Sequence, residues 1–577
     1  MIELDAGAAA MPVQEPSALP DVAGRRPWSS RFAAPRWIHL ALAVVILVSS
    51  TATITAMRRT SPTFDEITTM AGGARGWKTG RFDIMPNYPP VTQYLYGLPV
   101  HLMDPVYPQE LRQDTVPHRY AYAQELLYRV GNDPERVAFA ARLVAAGCAA
   151  LLILLTFLFA SRYVGRGAGL LAAALVAFLP DVLAHGGVAY NDIALAPAFL
   201  AGLWAIDAAL RTPSLVRGAV AGALVSVAVG IKHPALLLGP IAATLLAMEL
   251  LARRQRGELS RALPAIGASI ALALVVGYLV QVALYQGDFT LSYLRSSTIA
   301  AQTHIGAGHG IPAYLLGRMT PDAPWFFYPV AFLYKTSFAL HALIAVALVG
   351  GIIAAGSAKV PALLAAPIRA PLVAVVTFGA ILLNANLVIG FRYALPLLPL
   401  ICVLAAAGTV VVWRRTTPIL RGLIVLLTVW SAASALSYYP HFLAYTSEYQ
   451  GDPELGYGVF VDSSLDWGQG LLELRDFMRE ENVDRIYLSY FGSGMPEGYG
   501  IDYVAWPSFF PLQGGQPVVQ TAAGPDGTNG VEQPRFAAVS ATNLVGLYFS
   551  NDVFAELRRQ QPYRVLGHTV FIYEVAR

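Results

Sequence analysis

Residues 37–57 read WIHLALAVVILVSSTATITAM, and residues 61–73, just beyond them, read SPTFDEITTMAGG. A helix needs about 20 mostly apolar residues to cross a bilayer's hydrocarbon core, and the first stretch supplies them. The second places two adjacent carboxylates, Asp65 and Glu66, at the edge of that span. Acids are costly at such a position and mark a functional site by default. The fold and the chemistry both follow from this junction.

The whole chain has a membrane protein's composition. Of its 577 residues, 55% are hydrophobic and 13% charged, about half the charged share of a soluble domain. A net charge of +3, spread along the sequence, argues against a nucleic-acid surface. Cys148 and Cys402 sit in apolar runs, which disfavours a disulfide framework or a zinc cluster. Residues 1–36, with Arg25, Arg26, Arg31 and Arg36, read as a flexible basic cytoplasmic leader. The apolar run after them has no convincing cleavage site, so it reads as a retained anchor.

Spans are expected over 37–57, 137–160, 167–184, 193–210, 218–231, 234–252, 263–286, 326–354, 371–390, 394–413 and 420–438. Basic connectors, such as Arg162 with Arg166 and Arg414 with Arg415, fall on alternate sides, as cytoplasmic loops do. About eleven spans then put the C-terminus outside. The expected class is a polytopic α-helical membrane protein with a C-terminal extracytoplasmic α/β domain. Its domains are the leader, a transmembrane region over 37–439 with a long first external loop at 58–136, and the α/β domain at 440–577. In that last part LLELRDFMREEN and VFAELRRQQ have helical spacing, and RIYLSYFG, FAAVSA and HTVFIYEV read as strands. The glycine-rich piece 511–534 reads as a loop.

The external face gathers the unusual polar residues. Asp65 could cap a helix, but a partly desolvated carboxylate there also suits a base that takes a proton from a hydroxyl. Asp192, in HGGVAYNDIALAP, is a second such acid, with capping as its bland alternative. Lys232 in GIKHP, Lys335 in FFYPVAFLYKTSF and Arg392 in VIGFRYALPLLP form a cationic set suited to a phosphate group; snorkelling to the interface is the plain role for Lys335. Tyr88, His233 and His304 are candidate substrate contacts, while Tyr94 and Tyr96 read as an interfacial belt. His304 and His309 lie in a glycine-rich loop better suited to covering a site than to holding metal. Asp462, Asp466 and Trp467, in DSSLDWGQG, could touch an acceptor, although the two acids read first as caps of the helix that follows.

No P-loop, Rossmann glycine fingerprint or HExxH motif occurs, which disfavours ATP-driven and metalloprotease chemistry. A nucleotide-sugar donor is disfavoured too, because nucleotides are cytoplasmic and this site faces out. An activated donor on that side is carried by a lipid.

The ordered set FDE, NYPP at 87–90, YND at Asp192, GIKHP, GIPAYLLGRMTPDAPWFFYPVAFLYKTS and FRYALPLLP resembles the GT-C glycosyltransferases, specifically the family 39 group of protein O-mannosyltransferases and aminoarabinose transferases. The likeness runs over roughly the whole membrane region, and the tail resembles that of bacterial phospholipid-carrier-dependent glycosyltransferases. It implies an inverting glycosyltransferase of the bacterial inner membrane that moves a monosaccharide from a polyprenyl-phosphate donor to an acceptor hydroxyl on protein, lipid or polysaccharide. Asp65 matches the catalytic base, Asp192 the second loop acid, and Glu66 a supporting acid; Lys232, Lys335 and Arg392 fall where cations hold the carrier phosphate. No cofactor is implied with certainty, and a divalent metal stays open. Two departures are the absent β-trefoil insert and NYPP in place of an HPP motif. The competing readings are an oligosaccharyltransferase or glycan ligase using a lipid-linked glycan, and a secondary transporter or flippase, although the sequence shows no repeated half.

Overall fold

The computed structural model describes residues 36–82, 84–85, 88–109, 116–290, 312–356, 366–385, 390–510, 518–519 and 533–575. His304 and His309, and most of the 511–534 piece, lie outside them.

Among the described residues, eight helices are long and apolar enough to cross a membrane, and three shorter apolar ones accompany them: Arg166–Ala177, Leu215–Val229 and Arg369–Leu382. The chain is a polytopic helical membrane protein. Two expected spans are interrupted. The stretch over 167–184 is broken between Arg166–Ala177 and the short helix Pro180–His185, where Pro180 cannot donate to the preceding turn and instead starts a new helix. The stretch over 326–354 divides into Phe327–Lys335 and Phe338–Ala355, with extended Thr336 between them and Ser337 capping the second helix through the Leu340 amide. Helix Pro134–Tyr163 starts on Asp133, which accepts from the amides of Glu135 and Arg136.

Helix Asn191–Arg211 is the hub. Its apolar window is 78% buried inside the protein, against 11% for Leu259–Leu284, which lies on the outside of the bundle. In the first external loop, helices Glu66–Thr79 and Val91–Leu102 cross at Gly73 and Gly97. A Cβ on Gly97 would lie 2.0 Å from the Gly73 carbonyl carbon, so only glycine allows the approach. This crossing seats the loop that carries Asp65 against the bundle. Tyr96, expected in an interfacial belt, is fully buried because its helix lies against Pro134–Tyr163 and not at the surface.

The C-terminal part forms a five-stranded sheet. Its strands are β1 (Ile486–Ser489), β2 (Tyr503–Ala505), β3 (Phe536–Ser540), β4 (Arg564–Leu566) and β5 (Val570–Glu574), in the order β2-β1-β3-β5-β4. The β1 strand pairs in parallel with β2 and β3, and β5 runs antiparallel to β3 and β4. Alternation assigns the two faces. Leu488, Phe536, Ala538 and Ile572 pack under the amphipathic helix Leu471–Glu480, while Val539, Phe571 and Tyr573 join the core of the helical bundle. The sheet is therefore buried on both sides, which explains why β3 reads FAAVS with no polar alternation. The VFAELRRQQ stretch, expected to be helical, holds only the turn Leu557–Arg559. Both cysteines are free.

Candidate active site

Asp65 is the residue before helix Glu66–Thr79, but its carboxylate does not cap that helix. It accepts from the Tyr120 hydroxyl at 2.9 Å and lies 3.4 Å from an Arg392 guanidinium nitrogen. Asp192 stands in the first turn of Asn191–Arg211, and its carboxylate takes the Lys232 ammonium and the same Arg392 nitrogen, the latter at 3.5 Å. The capping alternatives thus account for neither acid. Arg392 bridges residues from the first loop and the hub helix, which are far apart in sequence. The Asp65 side chain is 19% exposed and that of Asp192 2%, so an incoming group can reach the first and not the second.

Aromatic faces line this cluster. Arg392 lies over the rings of Trp467 at 4.2 Å, Tyr393 at 5.4 Å and Tyr190 at 5.5 Å, and Lys232 over Tyr393 at 4.4 Å. Arg119 lies 5.3 Å from the rings of both Tyr88 and Tyr120. The Nε groups of Arg392 and Arg119 are both buried and make no hydrogen bond. Burial first, and then the Asp65 carboxylate, push the Tyr120 hydroxyl well above the usual tyrosine range, so it remains a donor to Asp65.

Glu66 stands apart from this group. It is buried in a forked ion pair with Arg142 at 2.7 and 2.8 Å, and it accepts from the amides of Thr63 and Ala189. The Thr63 contact is one half of a capping box. The pair clamps the Asp65 loop to the loop before Asp192. Lys335 spends its charge elsewhere. Its ammonium donates to the carbonyls of Leu443, Tyr445 and Ser464 at 2.8–2.9 Å, which uses all three of its protons. The physical reason is the break after Lys335, which ends the helix under the 443–464 segment and removes any path for snorkelling. His233 opens the short turn His233–Leu237 directly after Lys232. Among the described residues, no three His, Cys, Asp or Glu side chains gather as a metal site.

Residues 115–280 match the family model described as dolichyl-phosphate-mannose-protein mannosyltransferase. That match takes in less than a third of the chain. The matched stretch contains Arg119, Tyr120, Arg142, Asp192 and Lys232; Asp65 and Arg392 lie outside it and join the group through the contacts above. No curated protein matches the chain. Among solved structures, the chain is similar to ArnT from Cupriavidus metallidurans bound to undecaprenyl phosphate, at 13% identity and a TM-score of 0.47, over 94% of this chain and 98% of that one. It is also similar to the archaeal oligosaccharyltransferase AglB from Archaeoglobus fulgidus, in complex with an inhibitory peptide and a dolichol-phosphate. That likeness has 13% identity and a TM-score of 0.43, over 70% of this chain and 56% of that one.

The segment over 459–470 reaches from the sheet into the cluster. Its acids do not cap helix Leu471–Glu480, which starts on Gly470 without a side-chain cap. Asp462 accepts from the Tyr548 hydroxyl, and Asp466 from the amides of Thr542 and Gly468. Burial pushes their carboxyl groups up, to about 6 for Asp462 and about 7 for Asp466. Arg119, Tyr120 and Arg142 had no place in the sequence reading: the first two sit on a short helix without span periodicity, and Arg142 is a lone cation in an apolar run. A cation inside a span was the one usable signal for Arg142.

Proposed function

We propose that the chain transfers a monosaccharide from a polyprenyl-phosphate carrier to an acceptor hydroxyl, with inversion at the anomeric carbon. The observation that carries this reading is Arg392, which touches two carboxylates and keeps a buried Nε–H without a partner. An unpaired guanidinium donor in a buried site favours an anion with oxygens to share, and a phosphate fits it. Arg119, with its own unpartnered Nε, and Lys232 complete the cationic wall in place of Lys335.

The chemistry is a single displacement. The acceptor oxygen bonds to the anomeric carbon as the bond from that carbon to the phosphate oxygen breaks. The acceptor's proton passes to Asp65, the accessible carboxylate, and the departing phosphate keeps the electron pair beside Arg392, Arg119 and Lys232. Asp192 holds Lys232 and Arg392 in place. Tyr120 orients Asp65 through Oδ1, and Oδ2, which Arg392 meets only at 3.4 Å, takes the acceptor's proton. Positioning and charge stabilisation of the leaving group supply most of the rate, and the base adds about 10²–10⁴-fold.

The proposed setting is a bacterial inner membrane, with residues 1–36 cytoplasmic and both the first loop and residues 440–577 outside. The alternation of basic connectors supports it. The domain division at 37–439 and 440–577 belongs to the same proposal.

Asp65→Asn tests the reading. Purified protein given a polyprenyl-phosphate sugar and an acceptor is expected to lose release of the carrier phosphate by about 10²–10⁴-fold, with its thermal midpoint unchanged. An unchanged rate removes Asp65 as the base. Release only from a lipid-linked oligosaccharide would move the donor to a longer glycan.

A further inference from the structure

We propose that Trp467 is a positioning residue for the transfer, and that the C-terminal segment carrying it is part of the active site. The proposal rests on the roles given above to Asp65 and Arg392. Trp467 holds both through different atoms. Its ring face lies 4.2 Å from the Arg392 guanidinium carbon, and its backbone carbonyl accepts the Phe64 amide at 2.9 Å, one residue before Asp65. The indole is 2% exposed, and Tyr190 meets it edge-on at 5.7 Å, so its plane is fixed.

The segment around Trp467 is anchored from two sides. From the membrane, Lys335 donates to the Ser464 carbonyl, while the Ser464 hydroxyl accepts the Phe391 amide, the residue before Arg392. From the sheet, Asp466 accepts the Thr542 amide at the end of β3. The base and the phosphate-holding cation are therefore registered on one rigid strap. A buried tryptophan is ordinarily core filling, but this one has a guanidinium on its face and the base loop on its carbonyl. Arg392 bonds the two carboxylates at 3.4 and 3.5 Å, distances too long to fix its plane. The indole supplies that constraint.

The test compares Trp467→Ala with Trp467→Phe, using two readouts on the full chain in detergent. The first is turnover with a polyprenyl-phosphate sugar. The Ala variant is expected to lose about 30-fold in kcat, the worth of a desolvated cation–π contact, and the Phe variant to recover all but a few-fold of it. The second needs no substrate: the rate at which phenylglyoxal modifies Arg392, followed by peptide mass spectrometry. It is expected to rise about tenfold in the Ala variant and to stay near native in the Phe variant. A native rate in the Ala variant, or a Phe variant no better than Ala in both readouts, overturns the proposal. If the unaltered protein transfers no sugar while the modification rates behave as expected, the reading of the reaction falls and the positioning role stands.

Discussion

One helix, Asn191–Arg211, carries a buried ion cluster at each end, and the two are built differently. Asp192 and Asp207 are about 22 Å apart along the axis. At the Asp207 end, Arg211, Arg369 and the Tyr163 hydroxyl reach Asp207 at 2.6, 3.0 and 2.9 Å. Glu249 takes Arg369 and Arg253 at 2.6 and 2.7 Å. At the Asp192 end the bridging arginine sits at 3.4 and 3.5 Å and keeps an unpartnered Nε. Lys232 holds Asp192 closely, so the difference lies in the bridging arginines: the short contacts of Arg369 tie elements together, whereas the long ones of Arg392 leave room for a third party. By this measure Glu66, held by Arg142 at 2.7 Å, belongs with the structural kind although it neighbours Asp65.

The comparison breaks first if the two ends respond alike to loss of their central arginine. Arg369→Met leaves Asp207 and Glu249 buried with fewer partners, which costs about 3 kcal/mol, the lower end for a broken buried pair. Denaturant unfolding in detergent measures that loss, and the molecules that stay folded are expected to transfer sugar at the native rate. Arg392→Lys should do the reverse. Lysine keeps the charge but lacks the planar fork that reaches both carboxylates through one nitrogen while holding Nε–H aside for a third group, so turnover is expected to fall about 100-fold, as for loss of one transition-state donor. Its unfolding midpoint should move little. A variant at Arg392 that unfolds the protein, or one at Arg369 that abolishes transfer without unfolding it, would erase the distinction.

The same contrast explains what could be read in advance. Span positions were legible because twenty apolar residues signal a crossing whatever surrounds them. The acids were legible because a carboxylate at the edge of a span is costly, and Arg392 because it stands alone in an apolar run. Lys335 carried the same signal yet makes three backbone contacts, since no local pattern reveals a helix that ends beneath a folded-over carbonyl cluster. Arg119 was invisible for the opposite reason: an arginine in a long polar loop is ordinary until the fold lays it beside Tyr88 and Tyr120. Trp467 lies 402 positions beyond Asp65 in the sequence, and its carbonyl contact with Phe64 is a product of topology alone.

Asp466 sharpens the comparison at its smallest scale, as a buried carboxylate held by backbone amides and not by a cation. Burial pushes it up to about 7 from an ordinary 3.8. A carboxyl group raised in the folded state binds its proton more tightly there than in the unfolded chain. Its stabilisation is therefore full below about pH 4 and is lost as pH rises through about 7. This is the reverse of Glu448, whose folded-state value is lowered and whose contribution falls in acid. Unfolding midpoints taken between pH 5 and 8 should decline with rising pH in the native chain. Asp466→Asn, neutral at every pH, should flatten that slope, leaving the smaller part that Asp462 contributes below about pH 6, while keeping the amide contact through its oxygen. Parallel curves for the two proteins would mean that Asp466 is ionised throughout, and that the strap holding Trp467 carries a charge the surrounding amides fully stabilise.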